Sequence, residues 1–287
     1  MCPHSGWSGP PETAGPRTGL LYARSSDGIQ WEKPALGLFG APPNQSKANN
    51  IVLANAALGN GVFYDVHSGL FRQFGHAACQ QGAASAAEAR GTGGSTLDVS
   101  SSVDGLENWT DCASAASMDC QGDTTNNALW DADLENYLAF TRIDDRAGEK
   151  TLGLRREARS ISPDFKTWSK AVEILHGEAN YEAYAAVPFK PAVGSRPGLY
   201  FGLGMFYNIS GGGSKAWAPS ADRGQVYCEL LRSTTYGANW TRLAPGLPFI
   251  PHGPEGSADS HTSYAAARPF ESPDKPGMML FLSLIHI

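Results

Sequence analysis

Short apolar segments separated by polar and glycine-rich turns run along most of this chain. Segments 61–65 and 69–74 form one such pair, and 127–131 and 136–142 form another. Apolar and aromatic runs of this length, bounded by Asp, Ser, Asn and Gly, predict β-hairpins rather than helices. We predict further strands at 18–24, 97–102, 152–160, 184–189, 198–203, 225–233, 264–267 and 277–283.

One turn sequence occurs four times, and each copy ends in a tryptophan. The copies are 25–31, 101–109, 160–168 and 233–240, so that Trp31, Trp109, Trp168 and Trp240 are 78, 59 and 72 residues apart. In each copy a strand ends in Ser or Thr, an Asp-Gly or related turn reverses the chain, and the tryptophan begins the next strand. Repeats with such periods are typical of propellers and arrays, although similar hairpins can also arise without a repeat.

Each repeating unit reads as two strands joined by a hairpin, a loop, a third strand, the repeat turn and a fourth strand. This is the plan of a four-stranded antiparallel propeller blade. Three units are nearly complete, the first lacks its two leading strands and the last lacks its two trailing strands. We therefore expect residues 1–287 to be one partial, all-β, five-bladed propeller domain with an irregular segment at 1–17. Joining the two half-blades would instead give four blades.

The amino-acid composition and net charge argue against some classes of partner. Of the 287 residues, 41% are hydrophobic and 17% are charged, which is enough apolar surface for a folded core. The net charge of −6 argues against a nucleic-acid partner, and no apolar run is long enough to predict a membrane span. We expect neither nucleic acid nor membrane as a partner.

The cysteines and the N-glycosylation sequons do not determine whether the protein is secreted. Cys112 and Cys120 could pair in a secreted protein or be free thiols, and no C-x-x-C motif is present among the five cysteines. Sequons at Asn44, Asn108, Asn208 and Asn239 permit secretion, whereas residues 1–7 lack the apolar core of a signal peptide.

Several segments resemble a known superfamily. Residues 22–38, which contain the first tryptophan repeat, resemble the five-bladed propellers of the arabinanase, levansucrase and invertase superfamily, and an uncharacterised glycosidase-like branch in particular. The same likeness extends over 49–53, 123–126, 130–131, 248–251 and 256–260. It covers about 19–270 and is more specific for fold than for activity. In such relatives a blade precedes the first of these segments, so the resemblance implies that the chain is a fragment.

The resemblance implies glycoside hydrolysis of an oligo- or polysaccharide by carboxyl groups at the propeller hub, which requires no cofactor. Hydrolysis uses one carboxyl as acid and another as base or nucleophile. Asp123, Glu182 and Asp259 each stand just before a predicted innermost strand, and we predict that they converge at one end of a central channel. The preceding unit has Asn60 at this position. Each of the three acids could instead cap a turn or lie exposed at a strand entry.

Four further residues are candidates for contact with a sugar. Arg142 could orient a hydroxyl or a carboxylate, or form a surface ion pair. Trp130 and Tyr181 could stack on a sugar ring, or pack in the core. His261 follows Asp259 closely, and a metal site with His252 would lack a third ligand. We predict no metal.

Other acids have a structural interpretation. Asp65 and Asp131 end strands at hairpin tips, and Asp27, Asp104 and Asp164 belong to the repeat turns. Two alternatives to hydrolysis by carboxylates remain: a non-catalytic propeller that binds glycans or proteins, and a sialidase-like enzyme that relies on an arginine cluster, for which Arg24, Arg142 and Arg232 are candidates, and on a tyrosine nucleophile.

Overall fold

The computed structural model describes residues 19–41, 44–54, 61–76, 97–120, 122, 125–143, 155–178, 180–191, 194–210, 224–257, 259–265 and 268–281. Those residues form strands, turns and one short 3-10 turn at Ala116–Met118, with no α-helix. Within them there is accordingly no helix that is long and apolar enough to cross a membrane. The segment 1–17, Asn60 and Asp123 lie outside the described residues.

Two short strands come first, β1 (Gly19–Leu21) and β2 (Ile51–Ala54), and pair with each other. The first four-stranded sheet consists of β3 (Gly61–Asp65), β4 (Leu70–His76), β5 (Leu97–Ser102) and β6 (Thr110–Ser114). The second consists of β7 (Asn127–Asp131), β8 (Asn136–Ile143), β9 (Arg156–Ser162) and β10 (Val172–His176). The third consists of β11 (Tyr181–Phe189), β12 (Tyr200–Asn208), β13 (Val226–Ser233) and β14 (Thr241–Arg242).

In each four-stranded sheet the strands are antiparallel and lie in chain order, as a propeller blade requires. The hairpins predicted at 61–74 and 127–142 are confirmed, and the strands predicted near 184 and 198 run longer than expected, over β11 and β12. Among the described residues, three units form four-stranded sheets, whereas the first and last units each form a pair of strands.

The last pair of strands differs from the prediction. It consists of β15 (Phe270–Glu271) and β16 (Met279–Leu280), whereas a strand was expected at 264–267. Residues just before that segment are held by β13 instead, because Ser263 donates its amide to the Val226 carbonyl at 2.8 Å. Ala266 and Ala267 lie outside the described residues.

The repeat turns share one hydrogen-bonding pattern. The Ser25 hydroxyl accepts the Gly28 amide, and the Ser102 hydroxyl accepts the Gly105 amide, at 2.8 and 3.0 Å. Asp27, Asp104 and Asp164 each accept the amides two and three residues further on with one carboxylate oxygen. These contacts confirm the structural interpretation of the three acids.

Tryptophans follow the turns as predicted. Trp109 and Trp240 directly precede β6 and β14, and Trp168 precedes β10 by four residues. Trp31 differs, since the next residue, Glu32, forms an isolated bridge with Arg24 instead of beginning a strand, and Trp31 is 37% exposed.

The third repeat turn replaces glycine by Phe165, which has a φ of 63°. A left-handed backbone is unfavourable for an aromatic residue, whereas the corresponding Gly28 and Gly105 adopt it without a Cβ clash. Phe165 is buried and packs edge-on against Phe63, Tyr137 and Trp168 at 5.0 to 5.8 Å. Aromatic burial therefore offsets the backbone cost at this turn.

Asp65 and Asp131 are structural, as predicted. Buried Asp65 accepts hydrogen bonds from the His67 amide and the hydroxyls of Ser68 and Tyr137. Asp131 accepts the amides that follow it in its hairpin, at 2.9 and 3.0 Å.

Replacing Asp104 by alanine is expected to lower the melting temperature at neutral pH. The amides of Glu107 and Leu106 hold the pKa of Asp104 below its usual value of 3.8. A group with a lowered folded pKa stabilises the fold above its unfolded pKa, and this contribution is lost as the pH falls through the folded pKa. The difference between wild type and Asp104→Ala should therefore shrink in thermal melts from about pH 7 to about pH 2. The prediction is contradicted if the difference in melting temperature between wild type and Asp104→Ala does not change with pH. It is also contradicted if Asp274→Ala, at an exposed turn, lowers the melting temperature as much.

The chain divides into two compact units, one of residues 2–139 and 161–170 and one of residues 140–160 and 171–287. In the second unit, apolar clusters pack on both faces of the β11–β14 sheet. One face carries Ala183, Ala186, Phe206, Tyr227 and Leu231. The other carries Ala185, Val187, Leu203, Met205, Val226 and Cys228.

Candidate functional site

Glu182 lies at the beginning of β11, the first strand of its sheet, and its side chain is fully buried. A tight turn precedes the strand, in which the Tyr181 amide donates to the Glu178 carbonyl at 2.7 Å. Gly177 is required there, since a Cβ at this position would lie 1.8 Å from the Tyr181 carbonyl oxygen. Pairing of Glu182 with Tyr207 of β12 then fixes the register.

The Glu182 carboxylate forms an ion pair with Arg155, whose Nη1 donates to Oε2 at 2.5 Å. The other oxygen, Oε1, is buried and has no hydrogen-bond partner among the residues that the structure describes. A buried carboxylate oxygen without a partner is costly in a folded protein, and such groups are common where a ligand binds or chemistry occurs. Arg155 therefore fixes one carboxylate oxygen of Glu182, and the other oxygen is available to contact a ligand.

Tyrosines and a second arginine surround this ion pair. The Arg155 guanidinium lies 5.4 Å from the ring centre of Tyr184 and 5.5 Å from that of Tyr207. Arg142 lies over Tyr184 as well, at 4.7 Å. We call the following residues the Glu182 cluster: Glu182, Arg142, Arg155, Tyr184, Tyr207 and Tyr264.

Tyr264 joins the cluster through its ring contact with Tyr184, whose centroid is 5.7 Å away. Burial, followed by the proximity of Tyr184 and Tyr207, raises the pKa of Tyr264 well above the usual value of 10, and Arg155 opposes this shift. The phenol consequently stays protonated and neutral at physiological pH.

Arg142 is 2% exposed, so the alternative that it forms a surface ion pair is wrong. Burial on β8 brings its guanidinium onto Tyr184 rather than into solvent. Arg24, one of the other two arginines considered for a sialidase-like site, pairs with Glu32 on the surface at 2.9 Å. Arg232 is exposed.

Asp259 and His261 lie in the turn region 253–261. The Asp259 Oδ1 accepts the Ser257 hydroxyl at 2.6 Å, and its carbonyl accepts the Gly253 amide at 3.2 Å. His261 is exposed, and its Nδ1 lies 2.8 Å from the Ser260 hydroxyl. Asp259 thus helps to shape its own turn, and convergence of Asp259 with Glu182 and Asp123 stays a prediction.

The two aromatic candidates are each engaged by other side chains. Trp130 stacks on His67 with centroids 3.8 Å apart and meets Tyr137 edge-on. Tyr181 packs against the cluster that contains Phe206 and Tyr227, and so lies on the opposite sheet face from Tyr184. Since neighbouring residues in a strand point to opposite faces, Tyr181 and Glu182 do so as well.

The sequence did not single out Arg155, Tyr184, Tyr207 or Tyr264. These residues come from different strands and loops, and no short motif links them. Among the described residues no group of three or more His, Cys, Asp or Glu side chains is placed to hold a metal ion. The arrangement offers one buried carboxyl, two guanidinium groups and several phenols, which together can transfer a proton and bind sugar hydroxyls.

Comparisons with known proteins support the fold. No protein-family model matches the chain. No curated protein matches its sequence. Among solved structures, an N-acetylgalactosamine deacetylase from F. plautii in complex with blood group B trisaccharide is similar, with a TM-score of 0.54 at 16% identity, covering 85% of this chain and 66% of that one.

Two further structures have a similar likeness. One is a GH43 β-1,3-galactosidase, with a TM-score of 0.53 at 15% identity, covering 94% of this chain and 48% of that one. The other is a glycoside hydrolase, with a TM-score of 0.53 at 12% identity, covering 91% of this chain and 72% of that one. The chain spans about two thirds of the first of these three proteins and about half of the second. The chain has a five-bladed β-propeller fold, which it shares with these structures.

Proposed function

We propose that this chain is a glycoside hydrolase in which Glu182 supplies one of the two carboxyl groups. The observation that carries the proposal is the state of this side chain: it is fully buried, held by Arg155 through Oε2, and unpartnered at Oε1 among the described residues. A structural ion pair would be expected to satisfy both oxygens. The fold shared with glycoside hydrolases supports the same conclusion.

Cleavage requires a carboxylic acid that gives its proton to the glycosidic oxygen as the bond from that oxygen to the anomeric carbon breaks. A second carboxylate either attacks the anomeric carbon or removes a proton from the attacking water. We propose that Asp259 or Asp123 supplies this second group. In this proposal Arg155 positions Glu182, and Arg142 and Tyr184 contact sugar hydroxyls. The substrate is an oligo- or polysaccharide.

Tyrosine and arginine also occur together in the Glu182 cluster, which is the combination that a sialidase-like enzyme uses. Tyr264 is a poor nucleophile in this setting because burial and its tyrosine neighbours raise its pKa. A carboxyl-based mechanism is therefore favoured over attack by a phenolate.

Incubation with arabino-, galacto-, xylo- and fructo-oligosaccharides is expected to release new reducing ends from at least one of them. Asp259→Asn and Asp123→Asn are expected to lower kcat at least about 100-fold if the residue acts as an acid, base or nucleophile. Asp274→Asn, at an exposed turn, is the matched control and should retain the wild-type rate. Glycan binding without any release of reducing ends would refute hydrolysis and favour a non-catalytic propeller.

A further inference from the structure

A half-open pocket of about 420 Å³ lies on the face of the β11–β14 sheet that carries Phe206 and Tyr227. This volume is within the range of small-molecule sites. Its lining comes from the turn before β11, the start of β13, and β14 with the loop that follows. We call it the blade-face pocket, and its lining residues are Glu178, Tyr181, Gln225, Tyr227, Arg242, Pro245, Gly246, Pro248 and His252.

Carboxylates outnumber guanidinium groups in and beside the pocket wall. Arg242 donates from Nε and Nη2 to the two oxygens of buried Glu229, at 2.6 and 2.7 Å. Its Nη1 lies 3.3 Å from a Glu178 oxygen. A bidentate pair with a second carboxylate leaves the guanidinium no unpaired charge for an anionic ligand. The wall therefore favours a neutral ligand over a phosphate or carboxylate.

The remaining surface combines aromatic rings with polar atoms. Tyr181 and Tyr227 meet edge-on, with centroids 5.5 Å apart and an interplanar angle of 83°. His252 Nε2 lies 2.8 Å from the Val226 carbonyl, which can only accept, so Nε2 donates this hydrogen bond. Pro245 and Pro248 add rigid apolar surface. Rigid rings beside hydrogen-bonding groups suit a ligand with apolar C–H faces and a hydroxyl edge.

We propose that the blade-face pocket binds a neutral sugar unit, as a second carbohydrate site separate from the Glu182 cluster. The separation follows from the strand geometry: Tyr181 and Glu182 are consecutive in β11 and point to opposite faces of the sheet. Binding here does not depend on hydrolysis. A chain without glycosidase activity would still hold a polysaccharide through this pocket.

The test is affinity electrophoresis in native gels that contain arabinan, β-1,3-galactan, xylan or dextran. Wild type is expected to be retarded by at least one polymer. Tyr181→Ala and Gln225→Ala are each expected to raise the dissociation constant at least tenfold. Tyr64→Ala, which removes a 53% exposed tyrosine from β3, is the matched control. Thermal melts of every variant report whether the fold is retained.

Glu182→Gln separates the two sites. Because it leaves the blade-face pocket intact, this variant should be retarded like wild type. Three results would overturn the proposal. Glu182→Gln could lose its retardation, or both pocket variants could be retarded as strongly as wild type. The third is that no polymer retards wild type in any of the four gels. The reducing-end assay tests hydrolysis separately. If the chain releases no reducing ends but is still retarded through the pocket, only the proposed glycosidase activity is refuted.

Discussion

Replacing Glu182 by glutamine is expected to lower kcat/KM for glycoside hydrolysis about 1,000-fold, within the range that a positioned acid or base contributes. Glutamine has nearly the same shape, and its carbonyl oxygen can still accept the hydrogen bond from Arg155. It cannot donate an acidic proton or act as a carboxylate. Initial rates on the best oligosaccharide of the panel, measured by reducing-end release, provide the comparison.

Glu173→Gln is the matched control, because Glu173 is also paired with an arginine, Arg156, but its side chain is 35% exposed at the β10 edge. This variant should retain the wild-type rate. The melting temperatures of both variants must be recorded, since loss of the Glu182 charge removes a partly buried ion pair with Arg155. A Glu182→Gln variant that melts like wild type and hydrolyses at the wild-type rate would rule out the catalytic role.

The blade plan was predictable because its determinants are local. An Asp-Gly turn places its acceptors within three residues of the amides that they bind, so the pattern at Asp27 and Asp104 is visible in the sequence itself. Phe165 shows the limit of that reasoning. Its left-handed backbone is accepted because Phe63 and Tyr137, which are distant in the sequence, pack around its ring.

The position of Glu182 near the start of a strand was also predictable. Its partners were not, because Arg155 precedes β9 while Tyr207 and Tyr264 follow much later in the chain. Tyr181 shows a different limit. Since β11 begins at residue 181 rather than 184, the alternation of faces starts earlier than expected and separates Tyr181 from Glu182.

A second large effect is expected for stability at the ion pair between Glu229 and Arg242. The Glu229 side chain is fully buried, Arg242 is 12% exposed, and Glu229 also accepts the Gly246 amide at 2.7 Å. Breaking a buried pair by removing one charge typically costs about 3–5 kcal/mol. Glu229→Gln should therefore lower the melting temperature by roughly 10 °C, at the few degrees per kcal/mol that are usual for chains of this size.

Glu32→Gln in the exposed pair with Arg24 is the control for that measurement, since the two side chains are 70% and 64% exposed. Solvent screens such pairs, and the expected loss is below about 1 kcal/mol. Adding Arg242→Met to Glu229→Met should recover part of the stability lost in the single variant Glu229→Met, because the cost arises chiefly from a guanidinium that has lost its buried carboxylate partner. Equal melting temperatures for Glu229→Gln and Glu32→Gln would show that the buried pair is dispensable. Recovery in the double variant would attribute the loss to the guanidinium deprived of Glu229, which lies 4.3 Å from the centre of the Phe206 ring in an apolar layer.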